Sequence, residues 1–442
     1  MFILPAGTET LTKKQLKDFI KEHKKLVKHY EEMERLYSGD HPILHKERDP
    51  AETYKPDNRL VVNFAKYITD TFNGYFIGIP VKVSHPDDEI DSKITTFGIR
   101  NGIDDHNAEL AKMVNIYGTA IELLYNDEEA EPGIVAVNPK EAFIIYDDSL
   151  LHKRLFGGRY YTNTDGKLEG SYSTRNGIYY FDEEYNITAE AANPFKEVPL
   201  LEYNENEEKL GTFETVKTLI EAYDKAISEK ANDVDYYADA YLKIIGPGID
   251  QKTLGEFRRT RLIHAEMDNP ANAVVEFLGK PEADTTQENL IDRLEDLIFQ
   301  ISMVANINDD TFGSASGVAL AYKLQPMSNL AITKERKFTA NFQQRYKMLL
   351  GLASYNVSPD AWIQIDYRFT RNNPKNLLEE SQIAGNLAGI TSEETQLSVL
   401  SIVDDPKKEL EKKEAEQEEA AAFSFTPDII DATGSGDETA EN

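Results

Sequence analysis

The stretch from Asp284 to Tyr355 constrains the fold most, because it reads as a long helix, a loop of small residues and a still longer helix. Leu290, Ile291, Leu294, Leu297, Ile298, Ile301 and Val304 recur at spacings of three and four, which lays one apolar stripe along the first of these helices. Asp284 followed by Gln287 has the spacing of a capping box at its start. At about 1.5 Å per residue the helix is roughly 33 Å long. A stripe of that length requires a partner. The loop INDDTFGSASG follows, and the run from Gly317 to Tyr355 returns to the helical period with Pro326 inside it, where a kink is expected.

A second helical run lies upstream, from Gly211 to Leu242, with Phe213, Val216, Leu219, Ile220, Tyr223, Ala226, Ile227, Ala231, Val234 and Tyr237 as its apolar positions. Gly246-Pro247-Gly248 stops it. The insert between the two runs holds a strand candidate, AVVEFLG, and the basic cluster Arg258, Arg259, Arg261 and His264. Bracketed by long helices, it reads as a small module at the end of a helical pair. The basic cluster is either a partner site or a helix face balanced by Glu256 and Glu266.

The first half of the chain mixes periods. Thr12 and Gln15 open a helix with Leu16, Phe19, Ile20, Leu26, Val27, Tyr30, Met33 and Tyr37 on one side. A polar loop spans 39–58. A second helix is expected from Leu60 through Tyr75, a strand at Ile79 to Val83, and a helix from Asp104 to Tyr117 that leads into the strand TAIELLYN. The runs GIVAVN, EAFIIYDD, KRLFGGRYYT, EGSYST, GIYYFDE and VPLLEYN then alternate with Gly, Asn and Asp turns, the mark of antiparallel strands. WIQIDYRFT, Trp362 to Thr370, is a late strand expected to rejoin this region. The fold class is α+β.

With 442 residues, two or more domains or an elongated subunit are expected. The charge of −30 argues against gripping nucleic acid through concentrated Lys and Arg. No cysteine is present, which excludes disulfides and thiolate chemistry. No stretch nears the roughly 20 apolar residues of a membrane span, and the N-terminus lacks the basic region of a secretion signal. Short helices are expected between Asn376 and Leu410. Asp404 to Glu419, with eight acids and four Lys, reads as a solvated helix, and 423–442 as a disordered acidic tail.

Catalytic motifs fail on required residues. GSASG places Ala315 where a nucleophile elbow needs Ser, and it follows a helix rather than a strand. Val318 after Gly317 excludes a P-loop. The loop is then either a linker or a functional contact loop. His41 and His45 with Asp40 and Glu47 lack metal-site spacing and read as solvated surface. No catalytic residue, metal or cofactor is assigned.

The order of parts resembles portal proteins of tailed bacteriophages, the type found in siphophages of Gram-positive hosts. The segments that carry the likeness are RLVVNFAKYITDTFNGYFIGIPV (59–81), IYGTAIELLY (116–125), IYYFDE (178–183), NPFKEVPLLEYNENEEKLGTFE (193–214), YDKAISEKANDVDYYADAYLKIIG (223–246) and GSASGVALAYKL (313–324). The resemblance implies an elongated multi-domain subunit. Residues 1–212 would be a wing, with 317–370 as its long helix and returning strand. Residues 213–242 and 284–305 would be a two-helix stem, 243–283 a small α/β clip, 306–316 a tunnel loop, and 371–422 a helical crown. It further implies a ring, usually of twelve, around a channel for double-stranded DNA at one capsid vertex. Asn308, Asp309, Asp310, Thr311, Phe312, Gly313, Ser314, Ala315 and Ser316 would face that DNA. Arg258, Arg259, Arg261 and His264 would dock the terminase packaging motor and the head-completion adaptor. Capsid and scaffolding proteins are the remaining implied partners; the subunit would be assembled in the host cytoplasm and reside in the virion. A hydrolase with a helical accessory domain, or a non-portal virion adaptor, are the alternatives.

Overall fold

A computed structural model of the chain describes residues 1–48, 50, 56–238, 242–245, 274–277, 284–307, 317–372, 377–400, 402–403 and 405–424. They divide into two compact units, Met1–Asn372 and Asn373–Asn442.

The first unit contains a six-stranded sheet in the order β1 (Phe2–Leu4), β5 (Ala142–Asp147), β6 (Arg154–Thr162), β7 (Leu168–Ser173), β8 (Gly177–Phe181) and β9 (Ile187–Ala192). All its pairings are antiparallel except β1 with β5, which pairs Phe2 with Ile145 and Leu4 with Asp147 in parallel. A second sheet has the order β10 (Leu200–Asn204), β3 (Thr119–Asn126), β4 (Pro132–Val137). The six strand runs read from sequence all form strands; β1 and β9 were not expected.

Helix α1 (Lys13–Ser38) starts with the expected box: the Gln15 amide donates to Thr12 Oγ1 and the Thr12 amide donates to Gln15 Oε1. It serves two cores. Leu16 and Ile20 pack with Phe143, Ile145 and Phe156 of the six-stranded sheet, while Met33 and Leu36 enter the main core. That main core gathers helices α2 (Phe64–Ile77), α3 (Asp88–Arg100) and α4 (Ile103–Tyr117) around the inner face of the three-stranded sheet.

Helix α2 begins at Phe64 rather than Leu60, because the Asn63 side chain accepts from the Lys66 amide and caps it there. Helix α3 was not expected; Asp87 caps it by accepting from Glu89 and Ile90. The expected strand at Ile79 to Val83 is β2 (Lys82–Ser84), and the late strand does return to it: β13 (Asp366–Arg368) pairs Tyr367 with Val83. The returning strand is shorter than expected, since Ala361–Gln364, with Trp362, forms a 3-10 turn. Between α4 and β3, Gly118 sits at φ 75°, and a Cβ there would fall 2.0 Å from the Lys209 carbonyl oxygen. The position therefore demands glycine.

The run from Gly211 splits into a 3-10 turn, Glu214–Val216, and helix α5 (Lys217–Ala238). Leu242, expected at the helix end, belongs instead to β11 (Leu242–Ile245), which pairs antiparallel with β12 (Val274–Phe277). Downstream lie α6 (Asp284–Ser302) and α7 (Gly317–Leu350). Pro326 lies within α7, which is assigned as one helix across it. The second unit holds three helices, α8 (Leu377–Leu387), α9 (Glu393–Val399) and α10 (Pro406–Ser424).

Candidate functional site

Helices α5 and α6 run antiparallel, as their side-chain pairs show. Gln287 Nε2 donates to Asp233 Oδ2 (2.7 Å), Lys230 pairs with Glu288, and Tyr223 lies beside Glu295. The expected capping box at Asp284 does not form through Gln287: its amide nitrogen is spent on α5 and its Oε1 has no partner. Ile291, Leu294, Ile298 and Val304 are the buried positions of the predicted stripe, and they share the main core with Ile220 and Tyr223. Leu290 and Ile301, also assigned to that stripe, are about half exposed, 53% and 47%. The β11–β12 ladder joins the chain leaving α5 to the chain entering α6.

Residues 58–62 strap α5 to the body. Amides of Asn58, Leu60 and Val62 donate to Asn232 Oδ1 (2.6 Å), Ser228 Oγ (2.9 Å) and Asp224 Oδ1 (2.8 Å). Alternate residues of an extended chain thus meet every fourth residue of a helix. Asp224 also holds His41, whose Nδ1 lies 2.5 Å from its Oδ2 and whose Nε2 lies 3.1 Å from the Leu36 carbonyl oxygen. His41 is fully buried, which corrects its reading as solvated surface.

The chain leaving α6 is fixed before residue 308. The Phe299 ring meets Phe64 and Tyr67 edge-on at 5.6 and 5.5 Å, Asn306 Nδ2 donates to Glu295, and the Ile307 amide donates to Tyr67 Oη (2.9 Å). Asn308, Asp309, Asp310, Thr311, Phe312, Gly313, Ser314, Ala315 and Ser316 lie outside the described residues, as do Arg258, Arg259, Arg261 and His264.

Helix α7 resumes at Gly317 and buries Leu324, Met327, Ala331, Lys334, Phe338, Phe342, Arg345 and Leu349, a stripe at spacings of three and four that contains two cations. Lys334 Nζ donates to Asn115 Oδ1 and to the Ala111 carbonyl (3.1 Å). It lies 2.7 Å from Glu205 Oε2, an opposite-charge contact without hydrogen-bond geometry, and within 5.5 Å of the ring centres of Phe72, Phe76 and Phe338. Burial lowers the Lys334 amine, with Glu205 opposing.

Arg345 grips Glu122 of β3 with two donors: Nε to Oε2 (3.0 Å) and Nη2 to Oε1 (2.6 Å). Asn107 and the Tyr203 hydroxyl also accept from Nη2, and the Phe342 ring lies 4.4 Å from the guanidinium carbon. His106 Nε2 reaches Glu122 Oε1 at 2.7 Å. Both charges of the pair are fully buried. Burial would raise the Glu122 carboxyl, but Arg345 and His106 outweigh it and hold it at about 2. Two buried cations eleven positions apart fix both the rotation and the axial register of α7, since turning or sliding the helix would strand each in apolar surroundings. Sequence reading missed this pair. Its one legible trace was Glu122 in the middle of an otherwise apolar strand.

A family model described as phage portal protein, SPP1 Gp6-like, matches residues 16–422. The chain belongs to this family. The portal protein of Bacillus phage SPP1 is 22% identical over 417 residues, covering 88% of this chain and 81% of that one. The portal protein of Clostridium phage phiCD119 is 24% identical over 423 residues, covering 88% and 92%. Among solved structures, the neck of a native gene transfer agent particle computed with C12 symmetry aligns at TM-score 0.47 and 12% identity, covering 76% of this chain and 89% of that one. The portal family is a structural one. Among the described residues of this portal subunit, no helix is long and apolar enough to cross a membrane.

Proposed function

We propose that copies of this portal subunit form a ring, of about twelve on the family pattern, around a channel that passes double-stranded DNA into and out of a capsid at one vertex. The reading rests chiefly on the antiparallel register of α5 and α6. With 233 beside 287 and 223 beside 295, the insert 243–283 leaves from one end of a two-helix stem and the loop 306–316 from the other. The stem is one stave of the channel wall, and the loop faces the DNA. Residues 306–321 contain no Lys or Arg and two Asp. A loop of that composition repels phosphate and lets the duplex slide rather than holding it. The clip meets the terminase motor during packaging and the head-completion adaptor afterwards, through Arg258, Arg259, Arg261 and His264. The crown, 371–422, faces the capsid interior, and the wing, residues 1–212 with α7 and β13, meets capsid and scaffolding proteins. Pro326, which cannot donate a backbone hydrogen bond, is the bending point of α7 behind the loop. Assembly takes place in the host cytoplasm.

Negative-stain microscopy of the purified chain tests the ring, which is expected as a closed ring with a central hole; monomers would refute it. Asp309→Lys with Asp310→Lys tests the loop. Packaging is expected to slow while rings still form, and packaging at the wild-type rate would remove the low-friction argument.

A further inference from the structure

Helix α1 carries seven lysines between positions 13 and 28 against two acids, Asp18 and Glu22, in a chain whose net charge is −30. The buried side of the helix fixes where they sit. Leu16 and Ile20 pack on the six-stranded sheet and His23 bonds to Tyr160 of β6, so all seven lysines are left on the exposed side. Lys14, Lys17, Lys21 and Lys28 follow one another at spacings of three, four and seven, which lines them up along one face over about 21 Å.

This stripe works against the helix that carries it. Lys13 and Lys14 occupy a first turn that holds no acid, where the helix dipole disfavours cations. Lys13 with Lys17, Lys17 with Lys21, Lys21 with Lys25, and Lys24 with Lys28 are like charges four residues apart, and each such pair destabilises a helix. Three of the seven are engaged within the chain. Lys13 donates to Asn186 Oδ1 (2.8 Å) beside Asp182, Lys25 pairs with Glu22 (2.7 Å), and Lys24 lies over the Tyr160 ring at 5.9 Å. The other four have no acid of their own among the described residues. Glu32, one turn beyond Lys28, is taken by Lys217 (2.6 Å). With 78 acidic residues in the chain, four aligned lysines without a carboxylate mark a surface whose anion comes from outside.

We propose that Lys14, Lys17, Lys21 and Lys28 hold backbone phosphates of double-stranded DNA, a contact on the wing in addition to the one assigned to the loop 306–316. Composition selects phosphate over a protein partner. The exposed positions from 13 to 28 are the lysines, Asp18, Glu22 and Leu26, with no arginine and no aromatic ring among them. Protein interfaces favour Arg and aromatic side chains and are poor in Lys, whereas a row of lysine point charges suits phosphates bound without regard to sequence. The acidic remainder of the chain does not cancel the stripe, because at about 0.1 M salt charges more than roughly 10 Å away are largely screened. The choice of DNA as the polyphosphate rests on the channel reading above; the stripe itself needs no ring.

The test uses the full chain, as ring or monomer, and the fluorescence anisotropy of a short labelled DNA duplex between about 50 and 200 mM salt. Lys14→Gln, Lys17→Gln, Lys21→Gln and Lys28→Gln together are expected to reduce the slope of log affinity against log salt by about 3.6, four phosphates at about 0.9 each. Over that range the four contacts correspond to a roughly 100-fold loss of wild-type affinity that the variant no longer shows. Arginine at the same four positions keeps the charge and is expected to restore the slope, and the glutamine variant should melt no lower than wild type, since it removes like-charge pairs. A slope that the glutamine variant leaves unaltered overturns the proposal. Polyglutamate bound as tightly as the duplex at equal charge would instead make the stripe a dock for an acidic protein, and single-stranded RNA bound more tightly than the duplex would remove DNA as its occupant. Monomers that bind the duplex through the stripe would refute the ring and leave this contact standing.

Discussion

Replacing Glu122 by Gln removes one charge from a place where no water compensates for the loss. Glu122 and Arg345 are both 0% exposed, so the variant leaves Arg345 as an uncompensated buried cation, which costs about 3–5 kcal/mol. The depression of the carboxyl from 4.5 to about 2 leads to a similar figure, roughly 3 kcal/mol at neutral pH. Arg345→Met strands Glu122 instead and is expected to cost about the same. The double variant differs in kind, because the new amide still offers an acceptor to His106 and a donor to the Tyr203 hydroxyl. It is expected to lose only about 1–2 kcal/mol, far below the sum of the singles. Urea unfolding followed by Trp362 fluorescence measures all three, since this sole tryptophan packs against the main core. Costs that add to within about 0.5 kcal/mol would refute the pairing. The pH dependence supplies a second check. A depressed carboxyl contributes its full stability above 4.5 and loses it as the pH falls from there to about 2. The Gln variant should therefore lose stability less steeply than wild type over that range, and equal acid slopes would exonerate Glu122.

Gly118→Ala forces a Cβ against the Lys209 carbonyl oxygen in a left-handed backbone; a loss of about 3 kcal/mol or more is expected in the same unfolding assay. Asp224→Ala leaves the Val62 amide and His41 without their acceptor. A cost of roughly 2–4 kcal/mol is expected, with faster hydrogen exchange confined to residues 58–62 and the first turns of α5. Charge reversal at Arg258, Arg259 and Arg261 should weaken binding to the packaging motor without preventing ring formation, as pull-down on purified rings would report.

Local signals were legible in the sequence. The Thr12–Gln15 box, the helical stripe of α6 and the short strands each depend on residues a few positions apart, and each appears near its expected place. Helix α3 was legible too, with Asp87 as cap and Ile90, Ile94 and Phe97 at spacings of four and three, but its many polar residues masked the period. Strand β9, ITAEAA, is exposed throughout and has little strand propensity of its own. It is ordered by pairing with β8. The parallel pairing of β1 with β5, and the partnership of Glu122 with Arg345 across 223 positions, depend on tertiary assembly that no local pattern encodes. Lys334 and Arg345 sit where the 3.6 period calls for apolar residues, so they look like interruptions until Glu205 and Glu122 are seen to face them.

The strap of residues 58–62 works as a vernier. Two residues of extended chain advance about 6.7 Å while four residues of helix advance about 6.0 Å, so each successive bond to α5 starts roughly 0.7 Å further out of step. Three rungs fit within the tolerance of a hydrogen bond; a fourth would be about 2 Å adrift. The alternation sets the register, and the sequence ends it on either side: Pro56, where the next rung would fall, has no N–H to donate, and Ile220 offers no side-chain acceptor. The alternation also means that an insertion of one residue in this segment would misalign every remaining rung at once, whereas a substitution there would disturb only its own.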